Sequence, residues 1–137
     1  MNKRILFIDD DVSLLDGLRR KLHNSDYDLT MAVEGKAALE AIRSSSPIAV
    51  VVCDMRMPGM DGIEVLEQIA KLSPNTSRIM LTGNADQKTA IDAVNKSRIF
   101  RFLTKPCPDE ELTLALDAGI RQYQLVTAEQ ELLQQTL

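Results

Sequence analysis

Short apolar runs alternate with longer segments of helical spacing along this chain, and this order constrains the fold more than any other feature. The runs predict strands at 5–8, 29–33, 48–53, 78–82 and 99–104. Periodic segments predict helices at 12–22, 36–43, 63–72, 88–96 and from 108 onward. The run IAVVVC at 48–53 is continuously apolar, as in a strand covered on both faces. Five βα repeats predict an α/β fold in which one parallel sheet carries helices on both faces.

The composition excludes several classes of protein. A chain of 137 residues that is 45% hydrophobic fits one domain with a real core. A net charge of −4, only 4% aromatic residues and no Trp argue against direct binding of nucleic acid or an anionic membrane. No apolar stretch approaches the roughly 18 residues of a membrane span. Cys53 and Cys107 lack metal-ligand spacing, so we expect reduced thiols and a cytoplasmic location.

Polar residues stand at the ends of four predicted strands. Asp9 and Asp10 follow the first strand, Asp54 follows the third, Thr82 ends the fourth and Lys105 follows the fifth. The carboxyl ends of parallel strands share one edge of the sheet, and ligands of such folds bind at that edge. We therefore expect these five side chains to converge.

Three carboxylates at one edge repel each other unless a cation lies between them. Oxygen ligands of this kind suit Mg²⁺. Asp54 would be held rigidly by the most apolar strand, so it is a candidate nucleophile toward phosphorus. The ammonium of Lys105 and the hydroxyl of Thr82 would stabilise the charge that develops on the phosphoryl oxygens.

Each of these residues also has a purely structural interpretation. Aspartates at 9–11 could cap the first helix, which is a favoured position for Asp. Asp54 and Asp61 could be ordinary loop aspartates, and for Asp61, which precedes a glycine, we favour that interpretation. Thr82 could simply end a strand, and Lys105 could be a solvated surface lysine.

Four segments together resemble the signature of the two-component response-regulator receiver domain, the CheY-like family. They are ILFIDDD, VVCDMRMPGMDG, IMLTG and FLTKP, in the order and spacing of that family. The resemblance covers about residues 3–122. It implies a doubly wound, flavodoxin-like (βα)5 fold with strand order 2-1-3-4-5. It also implies a signalling switch whose own chemistry is limited to self-catalysed phosphotransfer and autodephosphorylation.

The resemblance assigns roles to the residues at the strand ends. Asp54 is the phosphoacceptor, and Lys105 contacts the phosphoryl group. Asp9, Asp10 and Asp54 hold Mg²⁺, for which Mn²⁺ can substitute, with Asp10 a direct ligand and Asp9 acting mostly through water. The backbone carbonyl of Arg56 is the remaining protein ligand.

Further roles concern switching. Thr82 is the switch hydroxyl, and Phe102 occupies the aromatic switch position. Arg56 and Asn84 stand where the family tunes the lifetime of the phosphorylated form. The Arg56 side chain either reaches across the site or faces solvent. The peptide bond between Lys105 and Pro106 is usually cis in this family.

The resemblance also implies partners. A sensor histidine kinase donates the phosphoryl group, and the signal passes to an output domain of the same protein or to a partner protein. The surface of the fourth predicted helix, fifth strand and last helix is a candidate dimer face, as is the C-terminal helix. One alternative is a receiver-fold binding module that ignores phosphate. Another is a phosphatase with an aspartyl nucleophile, which would need an acid where Arg56 stands.

The last predicted helix is longer than the domain needs. We expect a receiver domain at 1–122 and a helical extension at 123–137. In the extension Val126, Leu133 and Leu137 form an apolar seam that Gln130 interrupts. It is either a frayed tail or a signalling helix that pairs with its twin or leads to a following domain. The helix lacks a terminating residue, and FRFLTKPCP with RQYQLVTAEQELL is similar to receivers that precede HD-type phosphohydrolase domains, so we expect an output domain outside this sequence.

Overall fold

The computed structural model describes residues 1–44, 47–83 and 98–136. Its elements in chain order are β1 Arg4–Ile8, α1 Val12–Lys21, β2 Asp28–Ala32, α2 Gly35–Ser44, β3 Val50–Asp54, α3 Gly62–Leu72, β4 Ser77–Thr82, β5 Arg101–Thr104 and a C-terminal helix, Asp109–Thr136. The predicted helix at 88–96 and the predicted tuning residue Asn84 lie outside the described residues.

All five strands form one parallel sheet in the order β2-β1-β3-β4-β5. This order confirms the predicted doubly wound, flavodoxin-like fold. β3 lies at the centre, and all five of its residues are buried. The order reverses between β1 and β3, which is where this architecture opens a crevice at the carboxyl edge of the sheet.

Two apolar clusters cover the two faces of the sheet. On one face α2 and α3 pack through Ala38, Leu39, Val65, Leu66 and Ile69. On the other face α1 and the C-terminal helix pack through Leu15, Leu112, Ala115, Leu116 and Ile120. Alternate residues of each strand supply the two clusters, because successive side chains point to opposite faces. The prediction of helices on both faces is therefore confirmed.

The end of β3 differs by one residue from the sequence prediction. Asp54 was expected just beyond the strand, but it is the last strand residue and pairs with Leu81. The next residue, Met55, also donates its backbone N–H to the carbonyl oxygen of Leu81 at 3.0 Å. A charged side chain usually ends an apolar run. Here hydrogen bonds to β4 keep the backbone of Asp54 in strand geometry.

The C-terminal helix has 28 residues and is about 42 Å long at 1.5 Å per residue. Its first half docks on the sheet, and the hydroxyl of Ser77 donates to the carbonyl oxygen of Gly119 at 2.7 Å. Further along, the side-chain amides of Asn75 and Gln130 exchange two hydrogen bonds of 2.7 and 3.0 Å. Gln130, which interrupts the predicted seam, therefore binds the chain's own α3–β4 connection.

The apolar side chains that this extension leaves exposed are only partly those of the predicted seam. Val126 is half-buried and lines a small cavity with Pro74 and Phe100. The exposed leucines of the extension are Leu125, Leu132 and Leu133. Of the predicted seam residues, Leu133 is thus exposed, and Leu137 lies outside the described residues.

Candidate functional site

Three carboxylates converge at the carboxyl edge of the sheet. Asp9, Asp10 and Asp54 each offer a carboxylate oxygen, and these atoms lie within 4.8 Å of one another. Asp9 and Asp54 are buried, at 2% and 7% exposure, whereas Asp10 is exposed. The sequence placed these residues at one edge from strand order alone, and the structure brings them together.

The carboxylate of Asp9 is held on both sides. Its Oδ1 accepts a hydrogen bond from the backbone N–H of Asp11 at 2.9 Å, and its Oδ2 accepts one from Nζ of Lys105 at 3.0 Å. The helix cap is a different residue, because the Asp11 side chain accepts from the N–H of Leu14 at 3.1 Å. Asp11 is thus the N-cap of α1, and the side chains of Asp9 and Asp10 belong to the carboxylate cluster.

Lys105 brings a positively charged side chain to the site. Its Nζ lies 3.0 Å from Oδ2 of Asp9 and 3.0 Å from Oδ1 of Asp54. Its backbone N–H donates to the carbonyl oxygen of Thr82 at 2.8 Å, and the following bond to Pro106 is cis, as the family resemblance implies. These contacts exclude the interpretation of Lys105 as a solvated surface lysine.

Burial and charge shift the titration of both central groups. Burial raises the pKa of Asp54, and the charges of Asp9 and Asp10 add to this rise while the hydrogen bond from Lys105 opposes it. Burial by itself would lower the pKa of Lys105, but the hydrogen bonds to Asp9 and Asp54 outweigh it, so that pKa is raised. The ammonium therefore stays charged where the carboxylates need it.

Thr82 and Phe102 lie on the same face of the sheet. Met80 pairs with Phe102, and Thr82 is two residues further along β4, so the three side chains point the same way. Thr82 is buried at the end of β4, and Phe102 is half-buried against the cluster that α2 and α3 cover. Arg56, in the loop after β3, is exposed.

The loop from 55 to 61 connects Asp54 to α3. Asp61 caps α3 by accepting the N–H of Glu64 at 2.9 Å, which agrees with a structural role for Asp61. Gly62 donates its N–H to the carbonyl oxygen of Met55 at 2.9 Å and lies against the backbone of Asp54. The pair Asp61–Gly62 is visible in the sequence, but the close approach of Gly62 to the strand end is not, so its role was not predicted.

The donors of this cluster fit a hard divalent cation. All three side chains offer carboxylate oxygens, which Mg²⁺ prefers, and the exposed Asp10 leaves one side open to water. In the part of the chain that the structure describes, the ammonium of Lys105 is set against three carboxylates, which one positive charge cannot neutralise. The arrangement can therefore bind one cation and present a buried carboxylate oxygen to an incoming electrophile.

Comparison with known proteins decides the family. The response regulator receiver domain family matches residues 5–117 of the chain. The chain belongs to this family. Receiver domains are signalling domains of two-component systems that interact with histidine kinases and output domains and bind Mg²⁺ through acidic residues.

Curated relatives of this receiver domain include transcriptional regulators. FixJ of Bradyrhizobium diazoefficiens is 34% identical over 86% of this chain and 57% of its own length. NtrC of Klebsiella pneumoniae is 33% identical over 85% of this chain and 24% of its own length. The chain thus spans only part of the length of these curated relatives.

Solved structures share the receiver fold over nearly all of this chain. A structure described as adenylate cyclase from Rhodopirellula baltica has a TM-score of 0.93 and 48% identity, with 98% of each chain covered. The signal receiver domain of an HD domain-containing protein from Pseudomonas fluorescens has a TM-score of 0.85 and 33% identity, with 90% of this chain and 98% of that chain covered. Within the described residues of this receiver, no helix combines the length and apolarity that crossing a membrane requires.

Proposed function

We propose that this receiver domain accepts a phosphoryl group on Asp54 from a histidine kinase and switches the protein's output in response. The observation that carries the proposal is the position of the Asp54 carboxylate. It ends the central strand, lies 3.0 Å from the Lys105 ammonium and shares a cluster with Asp9 and Asp10. Burial on a central strand holds such a nucleophile still, which favours in-line attack.

The proposed transfer is a displacement at phosphorus. An oxygen of Asp54 attacks the phosphorus of a phosphohistidine, the new O–P bond forms, and the N–P bond breaks with its electron pair left on the imidazole nitrogen. The ammonium of Lys105 lies next to the attacking oxygen, so it can stabilise the charge on the phosphoryl oxygens. The hydroxyl of Thr82 ends the neighbouring strand and can donate to the same oxygens. Water later hydrolyses the acyl phosphate, which is the only turnover we assign to the domain.

Asp9, Asp10, Asp54 and the backbone carbonyl of Arg56 would hold Mg²⁺, or Mn²⁺ in its place. When bound, the cation supplies counter-charge to the carboxylates and to the transferred group. The hydrogen bonds of Asp9 support different roles for Asp9 and Asp10 in binding the cation. Both of its oxygens already accept hydrogen bonds, whereas Asp10 is exposed, so Asp10 is the better direct ligand and Asp9 acts through water.

Switching would follow from the new charge on Asp54. A phosphoryl group adds about −1.5 to −2 charge and three acceptor oxygens. These oxygens attract Thr82, and Phe102, which points to the same face of the sheet, fills the space that Thr82 leaves. Phosphate thus shifts an existing equilibrium between two packings of this face. We assign tuning of the phosphorylated lifetime to Arg56 and to Asn84.

We propose that residues 1–122 form the receiver and that 123–137 form a signalling helix toward an output domain or a second copy. The exposed leucines at 125, 132 and 133 support a role in association. The HD domain-containing relative supports an HD-type output, and the relative described as an adenylate cyclase supports a catalytic output of another kind. The dimer face that includes the fourth predicted helix stays a prediction, because that helix lies outside the described residues.

The test is labelling with acetyl phosphate and Mg²⁺, followed by intact-protein mass spectrometry. Wild type should gain one phosphoryl group, and Asp54→Asn should gain none. Asp61→Asn is the matched control, because it makes the same chemical change nearby and Asn is also a good helix cap. Labelling of Asp54→Asn would remove Asp54 from its role. A folded wild type that is never labelled would favour the phosphate-independent binding module.

A further inference from the structure

Gly62 stands at the closest approach of α3 to the end of β3. A Cβ at this position would lie 2.2 Å from the carbonyl oxygen of Asp54 and 2.8 Å from the Cα of Met55. Both contacts are to backbone atoms, which cannot rotate away as a flexible side chain can. Any residue other than glycine must therefore push the strand end and the helix apart.

The same glycine closes the loop that follows the phosphoacceptor. Its N–H donates to the carbonyl oxygen of Met55 at 2.9 Å, and its neighbour Asp61 caps α3. The loop from 55 to 61 is thus fastened at both ends through one backbone contact. Arg56, whose carbonyl we assign to the cation, lies inside this loop.

We infer that Gly62 is a positioning residue for phosphoryl transfer, an inference that rests on the proposed function. The missing side chain lets α3 close directly on the backbone of Asp54. We expect this contact to fix the position of the Asp54 carboxylate relative to the loop that carries the Arg56 carbonyl. Gly62 touches neither substrate nor cation and acts through those two groups.

A Cβ at position 62 could be accommodated by movement of the end of β3 or of α3, and either movement would disturb the site. On one side, Asp54 pairs with Leu81, and Met55 donates to the same Leu81 carbonyl at 3.0 Å. On the other side, α3 is anchored by Val65, Leu66 and Ile69, which are fully buried. If the end of β3 moves, Asp54 moves with it. If α3 moves away instead, the hydrogen bond from Gly62 to Met55 lengthens and the loop that carries the Arg56 carbonyl moves. A displacement of roughly 1 Å is of the size that can cost about a hundredfold in rate.

Two other glycines supply matched controls. A Cβ at Gly119 would meet Val50 Cγ2 at 3.0 Å and Ser77 Cβ at 3.4 Å, so Gly119→Ala also crowds the core but far from the cluster. A Cβ at Gly17, within α1, would have nothing within 4 Å. Gly17→Ala should be neutral or stabilising, because alanine is the better helix former.

The experiment compares Gly62→Ala, Gly119→Ala and Gly17→Ala with wild type in three measurements. These are the labelling rate at saturating acetyl phosphate, Mg²⁺ affinity by calorimetry without phosphodonor, and urea denaturation without cation. We expect Gly62→Ala to be labelled at least tenfold more slowly while folded and to bind Mg²⁺ at least threefold more weakly. Gly119→Ala should lose stability yet keep its labelling rate and Mg²⁺ affinity within twofold of wild type.

The inference is overturned if folded Gly62→Ala is labelled and binds Mg²⁺ like wild type. It is also overturned if Gly62→Ala and Gly119→Ala lose labelling in equal proportion to their lost stability, which is what a purely structural role predicts. Failure of the proposed function is distinguishable, because it appears as unlabelled wild type or labelled Asp54→Asn.

A second measurement covers the case in which Gly62→Ala does not fold. In the wild type, the amide NMR resonance of Gly62 should shift on addition of Mg²⁺ and saturate with the affinity that calorimetry gives. The amides of Gly17 and Gly119 should not move. A Gly62 resonance that ignores Mg²⁺ would refute its coupling to the cation ligands.

Discussion

Replacing Lys105 by Met tests how far the ammonium stabilises the carboxylate cluster in the absence of a cation. The side chain is 30% exposed and bonds two carboxylates at 3.0 Å, one of which, Asp9, is only 2% exposed. Breaking a fully buried ion pair costs about 3–5 kcal/mol because a desolvated charge is left unpaired. Partial exposure of Lys105 screens this loss, so Lys105→Met should lower the free energy of unfolding by about 2 kcal/mol.

The assay is urea denaturation followed by circular dichroism, with a chelator present. Lys21→Met is the matched control, because Lys21 bonds Asp109 at a similar 2.9 Å, but their side chains are 56% and 69% exposed. That surface pair should contribute at most about 1 kcal/mol. The two variants remove the same charge and leave the same side chain, so they differ mainly in the burial of the partner.

Saturating Mg²⁺ should narrow the deficit of Lys105→Met, because the cation provides Asp9 and Asp54 with another counter-charge. It should leave the deficit of Lys21→Met unchanged. If Lys105→Met is no less stable than Lys21→Met in chelator, the ammonium does not stabilise the cluster. If Mg²⁺ leaves its deficit intact, cation and ammonium do not serve the same carboxylates. Either result would refute the reasoning.

Three further predictions concern the switch, the alkaline limit and association. Thr82→Ala should still be labelled by acetyl phosphate but should lose most of the phosphorylation-dependent change in the NMR spectrum of β5, whereas an unchanged response would exclude Thr82 as the switch. Burial and the hydrogen bond to Asp117 raise the pKa of Tyr27 above its ordinary value of about 10, so this contribution to stability is fully present below about pH 10 and is lost progressively as the pH rises further. Tyr27→Phe should therefore show a smaller loss of stability between pH 9 and pH 11 in urea titrations. Leu132→Asp should weaken any concentration-dependent association measured by sedimentation, and Leu114→Asp, equally exposed on the docked part of the same helix, should not.

The sequence predicted the sheet because its strands are short apolar runs with little helical competition. The observed bounds of the described elements differ from the predicted ones by at most two residues, and the largest differences occur where apolar character extends beyond the paired strand. The run at 48–53 is an example, since Ile48 and Ala49 are buried but β3 begins at Val50. A continuous apolar run therefore predicts a strand that is longer than the one that pairs in the sheet.

The edge cluster was predictable for a different reason. In a parallel sheet the carboxyl ends of all strands meet at one edge, so residue order fixes the convergence of Asp9, Asp54 and Lys105 without any knowledge of side-chain geometry. The residue types alone do not divide the roles among Asp9, Asp10 and Asp11, because each aspartate has the chemistry of both a cap and a ligand. Only the hydrogen bond from Leu14 to Asp11 separates them.

Gly62 and Gln130 show what the sequence could not supply. The role of Gly62 depends on a contact of 2.2 Å between a hypothetical Cβ and a backbone oxygen, and no periodicity encodes that distance. Gln130 is a polar residue at a position where the apolar seam would have an apolar one. Its partner Asn75 is 55 residues away, so the amide pair exists only once the helix has docked.

The charge balance of the site explains why one lysine serves two carboxylates. Among the contacts described at this edge, three carboxylates face one ammonium, so about two formal negative charges are left over, which one divalent cation would offset. Phosphorylation of Asp54, as proposed, would return about −1.5 to −2 charge to the same place, and Lys105 would then interact with new acceptors. Asp9 can release the ammonium at limited cost, because its other oxygen keeps the hydrogen bond from the Asp11 N–H. Had Asp9 depended on Lys105 alone, transfer of the ammonium to the phosphoryl group would leave a buried carboxylate unpaired, and the lysine would oppose the reaction that we propose it promotes.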